Sequence, residues 1–226
     1  MFRRFEGAMQ SPWDEIAIQY VLTCGHIAKR RHGEAFKEHS QMVSLGQSEQ
    51  ELTLAFYNCH IDAHSNQQRI LAYLIPLRIL KGHLPSTELL QRFPILNELY
   101  TPFIAAIRIG DVAAYDKALD RSERQLVDLN LWLTLEKARE LCVRGLFRRV
   151  WVATEKSTRI PISMFRSSLT ISGIDASQDE AECLVANAIY KGFMRGYISH
   201  EKQMVVLAQT NAFPRLADRQ QPFSII

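Results

Sequence analysis

The chain has 226 residues, of which 47% are hydrophobic and 23% are charged. This composition is typical of a folded globular protein and excludes a disordered tail, a collagen-like fibre and a small disulfide scaffold. Its net charge is only +3, so overall charge does not by itself indicate a nucleic-acid-binding protein. Glycine and proline make up about 8% of the residues against a usual ~12%, which favours long helices.

The cysteines and the apolar segments indicate the kind of compartment in which the chain works. Four cysteines lie far apart without any C-x-x-C pair, at Cys24, Cys59, Cys142 and Cys183. Each falls among apolar residues at helical spacing, so we expect reduced thiols in the core of a cytosolic or nuclear protein. The first ten residues lack the apolar stretch of a signal peptide. The most apolar run, 70–80, is too short to span a bilayer, so we expect no membrane insertion.

Helix signals begin early in the chain. Ser11-Pro12 predicts a helix start, and the apolar residues behind it keep the spacing of one buried face as far as Gly33. A capping box at 48–51 opens a second helix, whose apolar stripe is predicted to run from Leu52 to Ala63. A central helix, apolar nearly all round, is predicted over about 67–82.

Turn residues separate the next predicted helices. Two helices are predicted between 86 and 109, and Gly110-Asp111 then ends one helix and caps the next, which covers 112–120. The segment 122–155 indicates two closely joined helices with a break near Gly145. Antiparallel helices with short joints favour a helical-repeat array.

The pattern changes near residue 156. Ile160-Pro161 predicts a helix that ends near Gly173, and a third capping box at 177–180 starts another. Two β-like runs, 194–199 and 203–208, then predict a hairpin. Two helices followed by a hairpin is the order of elements in a winged helix, a helix-turn-helix variant.

We therefore predict a mostly α fold in which a helical-repeat, TPR-like array precedes a C-terminal winged helix. The predicted segments are an N-terminal helical segment at 1–46, helical repeats at 47–155, the winged helix at 156–210 and a partly ordered tail at 211–226.

No catalytic motif is present. The sequence lacks a phosphate-binding glycine loop, a G-x-S-x-G elbow and an H-E-x-x-H pair. His60 and His64 are predicted to share one helix face beside Cys59, but a zinc site needs further ligands, and a buried cysteine with two surface histidines is the favoured interpretation. We predict a protein that is not an enzyme, with no catalytic residue, cofactor or metal. A metal-dependent enzyme using His60 and His64 is the alternative from another class.

A local basic segment is the strongest functional signal. The segment 139–166 contains seven basic residues and two acidic ones, which gives a local net charge of +5. Phosphate backbones bind such surfaces by counterion release, and few aromatic residues interleave, so we expect sequence-tolerant binding. The alternative is a solvated face in which Arg139 and Arg144 form intramolecular pairs. The predicted nucleic-acid-binding residues are Arg148, Arg149, Lys156, Arg159, Arg166, Lys191, Arg195 and Lys202.

Four segments resemble one known subfamily closely. They are YLIPLRILKGHLPSTELLQRF (73–93), RGLFRRVW (144–151), RIPISMF (159–165) and ANAIYKGFMRGYISHEKQMVVLAQTNAFP (186–214). The chain resembles PCI-domain proteins, in particular the subfamily that contains the PCI subunit of the TREX-2 transcription-export complex and the protein originally catalogued as subunit twelve of the COP9 signalosome in yeast. The resemblance runs from about 47 to 216, and residues 1–46 match poorly.

This resemblance implies a non-catalytic scaffold subunit of a TREX-2-like complex. Its expected partners are a Sac3/GANP-homology subunit, a small acidic protein of the Sem1/DSS1 type, and the backbone of RNA or DNA, in transcription-coupled mRNA export. Relatives carry a basic pair where this chain has Arg148 and Arg149. The implied location is the nucleus, including the nuclear pore, with some protein in the cytoplasm.

The resemblance also implies side-by-side association of PCI subunits through the winged helix, by strand addition to an exposed edge and by helix packing. The candidate partner-binding residues are Tyr197, Ile198, Val205, Val206 and Leu207. Because strand side chains alternate, about half of this set must belong to the core. The alternative function keeps the fold: a COP9 signalosome-associated or splicing-associated PCI subunit that acts only through protein–protein contacts.

Overall fold

The computed structural model describes residues 48–218. The predictions for 1–47, including the helix at Ser11-Pro12 and the burial of Cys24, lie outside these residues, as does the tail beyond 218. The chain divides into two compact units with the boundary between Arg78 and Ile79. Each unit is described in turn.

The first unit consists of a helix, α1, over 48–58 and most of a second helix, α2, over His64–Leu80. Arg78 joins the two helices, because its Nη2 donates to Thr53 Oγ1 at 3.3 Å and its Nε lies 3.6 Å from Glu49 Oε1. Buried apolar side chains lie on both helices: Leu52, Ala55, Ile70, Leu71, Leu74, Ile75 and Leu77. The predicted stripe from Leu52 to Ala63 is interrupted, since α1 ends at 58.

The second unit holds every other described element. Its helices and strands are α3 Thr87–Arg92, α4 Pro94–Ile109, α5 Val112–Asp128, α6 Trp132–Ala153, β1 Arg159–Pro161, α7 Ile162–Ile171, α8 Gln178–Tyr190, β2 Gly196–Ser199 and β3 Met204–Leu207. A short 3₁₀ turn follows at Leu216–Asp218. Helices α4, α5 and α6 pack against one another, α7 packs against both α6 and α8, and α8 also packs against β2. Mostly helical structure with one small sheet confirms the predicted fold class.

The corner between α4 and α5 follows the sequence closely. Gly110 ends α4 in the left-handed conformation with φ of 74°, where glycine has no steric penalty. Asp111 caps α5 through its side chain, which accepts from Ala114 N at 2.9 Å. The capping box that opens α8 is also formed, with reciprocal bonds between Ser177 and Glu180. These predictions are confirmed.

The predicted break near Gly145 is wrong, and so is the predicted helix boundary at 120. Helix α5 continues to Asp128, and α6 runs unbroken from Trp132 to Ala153. Gly145 is instead a packing position: a Cβ there would lie 3.2 Å from the carbonyl oxygen of Ile107, and a Cβ at Gly110 would lie 2.7 Å from Leu146 N. Helix α6 therefore passes the α4–α5 corner at backbone-to-backbone distance.

The winged helix contains one strand more than the sequence predicted. Its three antiparallel strands lie in the order β1-β3-β2, so β3 is central and β2 forms the predicted hairpin with it. Strand β1, over 159–161, was predicted as the start of α7. Its middle residue, Ile160, is fully buried, and Pro161 closes the strand at a sheet edge, where its missing N–H is tolerated.

Residues 212–214 of the predicted tail pack against other parts of the second unit. Ala212 and Pro214 are buried, and the ring of Phe213 lies 5.4 Å from that of Trp151. Arg144 Nη2 donates to the carbonyl oxygen of Pro214 at 2.7 Å. This segment therefore covers one side of α6.

The three described cysteines differ in burial. Cys142 is fully buried, as predicted, and burial raises the pKa of its thiol to about 12. Cys59 is half-buried. Cys183 is exposed, contrary to the prediction, because the core-facing stripe of α8 runs through Ala181, Val185 and Ala188.

Between residues 48 and 218, no helix has both the length and the apolar character required to cross a bilayer.

Candidate nucleic-acid interface

The last two turns of α6 carry the basic pair. Phe147 and Val150 are buried, which turns the intervening Arg148 and Arg149 outward into solvent. Arg149 Nη2 donates to the carbonyl oxygen of Arg108, at the end of α4, with a distance of 3.3 Å. The pair therefore lies beside the C-terminal end of α4 and leads along α6 towards the winged helix.

A tight turn after α6 adds two more cations. Glu155 and Lys156 both adopt left-handed backbone, with φ of 53° and 59°, and Lys156 N donates to Trp151 O at 2.8 Å. Ser157 Oγ donates to the carbonyl oxygen of Arg159 at 3.0 Å and fixes the entry into β1. Lys156 and Arg159 are both exposed.

The residue before β1 and the residue before β2 both accept hydrogen bonds from the end of β3. Leu207 N donates to Thr158 O at 2.7 Å, and Ala208 N donates to Arg195 O at 2.9 Å. Thr158 and Arg195 therefore flank the end of β3 from its two sides. We define the basic surface as Arg148, Arg149, Lys156, Arg159 and Arg195.

The other predicted basic residues lie elsewhere. Lys202 is exposed in the β2–β3 turn, at the opposite end of the sheet. Arg166 is exposed on α7, where its Nε donates to Ala176 O at 3.1 Å across the α7–α8 turn. Lys191 forms an ion pair with Glu140, so its charge is already balanced. Five of the eight predicted residues are thus exposed on the path from the end of α6 through the 154–158 turn to the adjoining ends of β1 and β2.

The alternative interpretation of the basic segment expected Arg139 and Arg144 to pair within the molecule. Both do bond to other residues of the chain. Arg139 forms a two-pronged ion pair with Asp116, with distances of 2.6 and 2.8 Å, and the hydrogen bond to Asp116 raises the pKa of the Arg139 guanidinium. Arg144 bonds to Pro214, as described above. The alternative reading of the basic segment is therefore correct for these two residues.

Helix α8 occupies the position of the DNA-reading helix in a helix-turn-helix, but its charge is opposite to that role. Its 13 residues include Asp179, Glu180 and Glu182 and no lysine or arginine. The hydrogen bonds from Ser177 lower the pKa of the Glu180 carboxyl, which keeps it ionised. A phosphate backbone would be repelled from this end of α8.

The sheet has one buried and one exposed face. Ile160, Val205 and Ile198 pair across the three strands on the inner face, and the first two are fully buried. Arg159, Val206 and Tyr197 form the next row, on the outer face. Tyr197 is 63% exposed. The outer face therefore presents an arginine and an aromatic ring on either side of a half-buried valine.

The strand order corrects part of the partner-binding prediction. Val205 and Leu207 lie on the central strand and are buried in the core, so they are not surface residues. Tyr197 and Ile198 lie on β2, an edge strand, and Val206 faces outward on β3. Contact of these three residues with a partner stays a prediction.

A polar network holds the β2–β3 turn against α8. His200 Nδ1 lies 2.9 and 3.0 Å from the two carboxylate oxygens of Glu182. Gln203 Nε2 donates to Glu182 Oε2 at 3.4 Å, and its Oε1 accepts from Gln178 Nε2 at 3.1 Å. The hydrogen bond to Glu182 raises the pKa of the exposed His200 ring.

The candidate metal residues are not arranged as the sequence predicted. His60 lies in the turn after α1, where its Nδ1 accepts from Asp62 N at 3.3 Å, and His64 is the first residue of α2. They therefore do not share a helix face. Within the described ranges, no group of three or more His, Cys, Asp or Glu side chains is arranged to hold a metal ion.

The sequence did not predict the cross-strand row from Arg159 to Tyr197, because the residues of β1 were predicted to begin a helix. A strand-like alternation is present at 159–161, exposed-buried-exposed, but three residues ending in proline give too short a signal to separate from a helix N-terminus. Without β1, nothing in the sequence relates Arg159 to Tyr197.

Comparison with known proteins identifies the domain. The PCI domain profile matches residues 112–209, from the start of α5 to just past β3. The chain is 42% identical over 166 residues to the protein CSN12 homolog of Schizosaccharomyces pombe, a match that covers 73% of this chain and 39% of the relative. It is 35% identical over 176 residues to the PCI domain-containing protein 2 homolog of Caenorhabditis elegans, with 77% and 42% covered.

A third relative gives the same picture. The PCI domain-containing protein 2 homolog of Drosophila melanogaster is 38% identical over 169 residues, with 74% of this chain and 42% of the relative covered. The chain thus spans less than half the length of the curated relatives it matches. The chain therefore contains a PCI domain at residues 112–209, and about three quarters of it is similar to CSN12 and PCI domain-containing protein 2 homologues.

Proposed function

We propose that this chain is a non-catalytic scaffold subunit of a TREX-2-like complex, in which it holds nucleic acid against its winged helix during transcription-coupled mRNA export. One observation carries the nucleic-acid part: five exposed cations, the basic surface, follow one another from the end of α6 through the turn into the sheet. Unlike Arg139 and Lys191, none of them forms an ion pair with a described residue.

The chemistry is binding and positioning. Each cation that approaches a phosphate releases a condensed counterion, which gives affinity without sequence preference. Because α8 is acidic, the backbone is expected to run along α6, the 154–158 turn and β1 and to avoid the helix that would otherwise enter the major groove.

The proposed partners are a Sac3/GANP-homology subunit and a small acidic protein of the Sem1/DSS1 type. Strand β2 supports a side-by-side contact, because it is an edge strand of the described sheet, the kind of strand to which a partner strand can be added. The similarity to PCI domain-containing protein 2 homologues supports a scaffold role. We place the complex in the nucleus, including the nuclear pore, with some protein in the cytoplasm.

Charge reversal tests the basic surface. Arg148→Glu with Arg149→Glu should weaken binding of RNA or DNA and make the dependence of log K on log salt shallower, by about 0.7 per lost contact on a single strand and about 0.9 on a duplex. Arg121→Glu with Arg124→Glu is the matched control, since both arginines are exposed on α5 outside the basic surface. Equal affinities and slopes for the two double variants would contradict the assignment.

A second candidate function is a COP9 signalosome-associated or splicing-associated subunit that contacts proteins only. The acidic α8 favours it, because this helix of the winged helix is unsuited to DNA. Nucleic-acid binding by the purified complex separates the two candidates: the first requires it and the second does not.

A further inference from the structure

We propose that the outer face of the winged-helix sheet is a single-strand binding site, on which the Tyr197 ring stacks against a base while Arg159 binds a neighbouring phosphate. This inference rests on the proposed nucleic-acid function and names the form of polynucleotide and the side chain that contacts its bases. Stacking on an aromatic ring is open to single strands, whose bases are not paired within a duplex.

The register of the sheet creates the site. Arg159 pairs with Val206, and Val206 pairs with Tyr197, so the three side chains project from the same face in one row. With strands spaced about 4.8 Å apart, the backbones of Arg159 and Tyr197 are separated by roughly 10 Å. Val206 between them is half-buried, which leaves a shallow apolar floor between a cation and an exposed ring.

The cations around this face favour a polyanion, although Glu155 and Glu201 are exposed next to two of them. Lys156 and Arg195 lie near one end of the sheet, next to Thr158 and Leu207, and Lys202 lies in the turn at the other end. A strand that crosses the outer face therefore meets cations before and after the Tyr197 ring. A second protein chain would need acidic side chains at both ends to match this distribution.

The negative charge of helix α8 indicates that the nucleic acid bound to the outer face of the sheet is not a duplex. In a duplex-binding helix-turn-helix, the second helix enters the major groove and lies between two phosphate backbones. Here that helix carries three carboxylates and no cation, and Ser177 holds one of them, Glu180, in the capping box. The sheet face does not require α8 to approach phosphate, so a single strand avoids the repulsion that a duplex would meet.

Affinity measurements on the full chain, alone or with its co-purifying subunits, test the site. The probes are a labelled oligouridine of about 12 nucleotides, the matching oligothymidine and a duplex of the same length. Tyr197→Ala should weaken single-strand binding roughly 5- to 150-fold, the range that loss of one stacked base gives. Tyr197→Phe keeps the ring and should bind like the parent. Arg159→Gln should weaken binding and make the salt slope shallower.

Tyr190→Ala is the matched control, because Tyr190 is 60% exposed but lies on α8. It should leave the affinity unchanged, and ultraviolet crosslinking of a thiouridine probe should identify Tyr197 and not Tyr190. If the single strands bind but Tyr197→Ala and Tyr190→Ala behave alike, or the duplex binds more tightly, the stacking site is wrong while the proposed function stands.

Two other results would overturn the inference in different ways. If no oligonucleotide binds to the complex, the proposed nucleic-acid function fails together with the site. If Tyr197→Ala removes a co-purifying protein subunit and leaves oligonucleotide affinity intact, the face is a protein interface.

Discussion

Ser172, the C-cap residue of α7, also caps the first turn of α5. Its hydroxyl oxygen accepts a hydrogen bond from Val112 N at 2.8 Å, and its carbonyl oxygen accepts from Ala113 N at 3.2 Å. The side-chain oxygen of Asp111 accepts the next hydrogen bond, from Ala114 N, and its carbonyl oxygen accepts from Tyr115 N. Half of the N-terminal donors of α5 are thus satisfied from within the winged helix, and this buried junction ties the winged helix to the helix before α6.

Replacement of this cap should weaken the whole second unit. Ser172 is buried, so Ser172→Ala leaves Val112 N without its acceptor, and we expect a loss of about 1–2 kcal/mol in the free energy of unfolding. Chemical denaturation followed by circular dichroism measures it. Ser167→Ala is the control: its exposed hydroxyl only bonds back to Ser163 O in the same helix. Equal stabilities of the two variants would show that the junction contributes nothing.

A second buried hydrogen bond joins α5 to α6. Tyr115 is fully buried and its hydroxyl donates to Leu135 O at 2.6 Å; burial holds the pKa of the phenol well above its usual range, so it stays a donor. Tyr115→Phe should cost about 1–2 kcal/mol, because it removes the donor and leaves the shape unchanged. Tyr190→Phe, at an exposed site, should be neutral in the same denaturation experiment. A neutral Tyr115→Phe would contradict the assignment.

The close approach of α6 to the α4–α5 corner predicts that Gly110 tolerates no side chain. Gly110→Ala combines left-handed strain with a Cβ only 2.7 Å from Leu146 N, so the backbone of α6 must move, and we expect a loss above about 2 kcal/mol. Gly82→Ala shares the left-handed strain, with φ of 85°, but meets the flexible side chain of Leu216. Thermal melts should show the larger loss at Gly110, and the reverse order would be inconsistent with this packing.

The His200–Glu182 pair predicts a pH-dependent attachment of the β2–β3 turn. Its hydrogen bond to Glu182, aided by Asp179 and Glu201, raises the pKa of His200 above the unfolded value of about 6.5. The stabilisation from the His200–Glu182 pair is therefore fully present below the unfolded pKa of His200. It is lost as the pH rises through the raised pKa of the folded protein. An NMR titration of the imidazole should find the raised pKa, and Glu182→Gln should lower it. An unchanged pKa in Glu182→Gln would contradict the pairing.

Much of the fold follows from local signals in the sequence. The caps at Asp111 and Ser177 act within one turn of the residues they serve, and each is found where the sequence places it. The prediction of a helix break at Gly145 was wrong because a glycine can either break a helix or allow a close contact. The nearby Gly110, which is distant in sequence, shows that Gly145 allows a close contact.

The candidate site was less accessible to sequence analysis. The exposure of Arg148 and Arg149 follows from helix periodicity, since Phe147 and Val150 occupy the buried face. The pairing of Arg159 with Tyr197 depends on strand order, which joins residues nearly forty positions apart. The burial of Val205 and Leu207 has the same origin, because a third strand makes β3 central.

The most direct test of the scaffold function is purification of the tagged chain from its own cells, with the co-purifying proteins identified by mass spectrometry. We predict recovery of a Sac3/GANP-type protein together with a small acidic subunit. An untagged extract and the Arg148→Glu, Arg149→Glu variant serve as controls, and the variant should retain the proteins while it loses nucleic acid. Recovery of COP9 signalosome subunits in place of these partners would contradict the account.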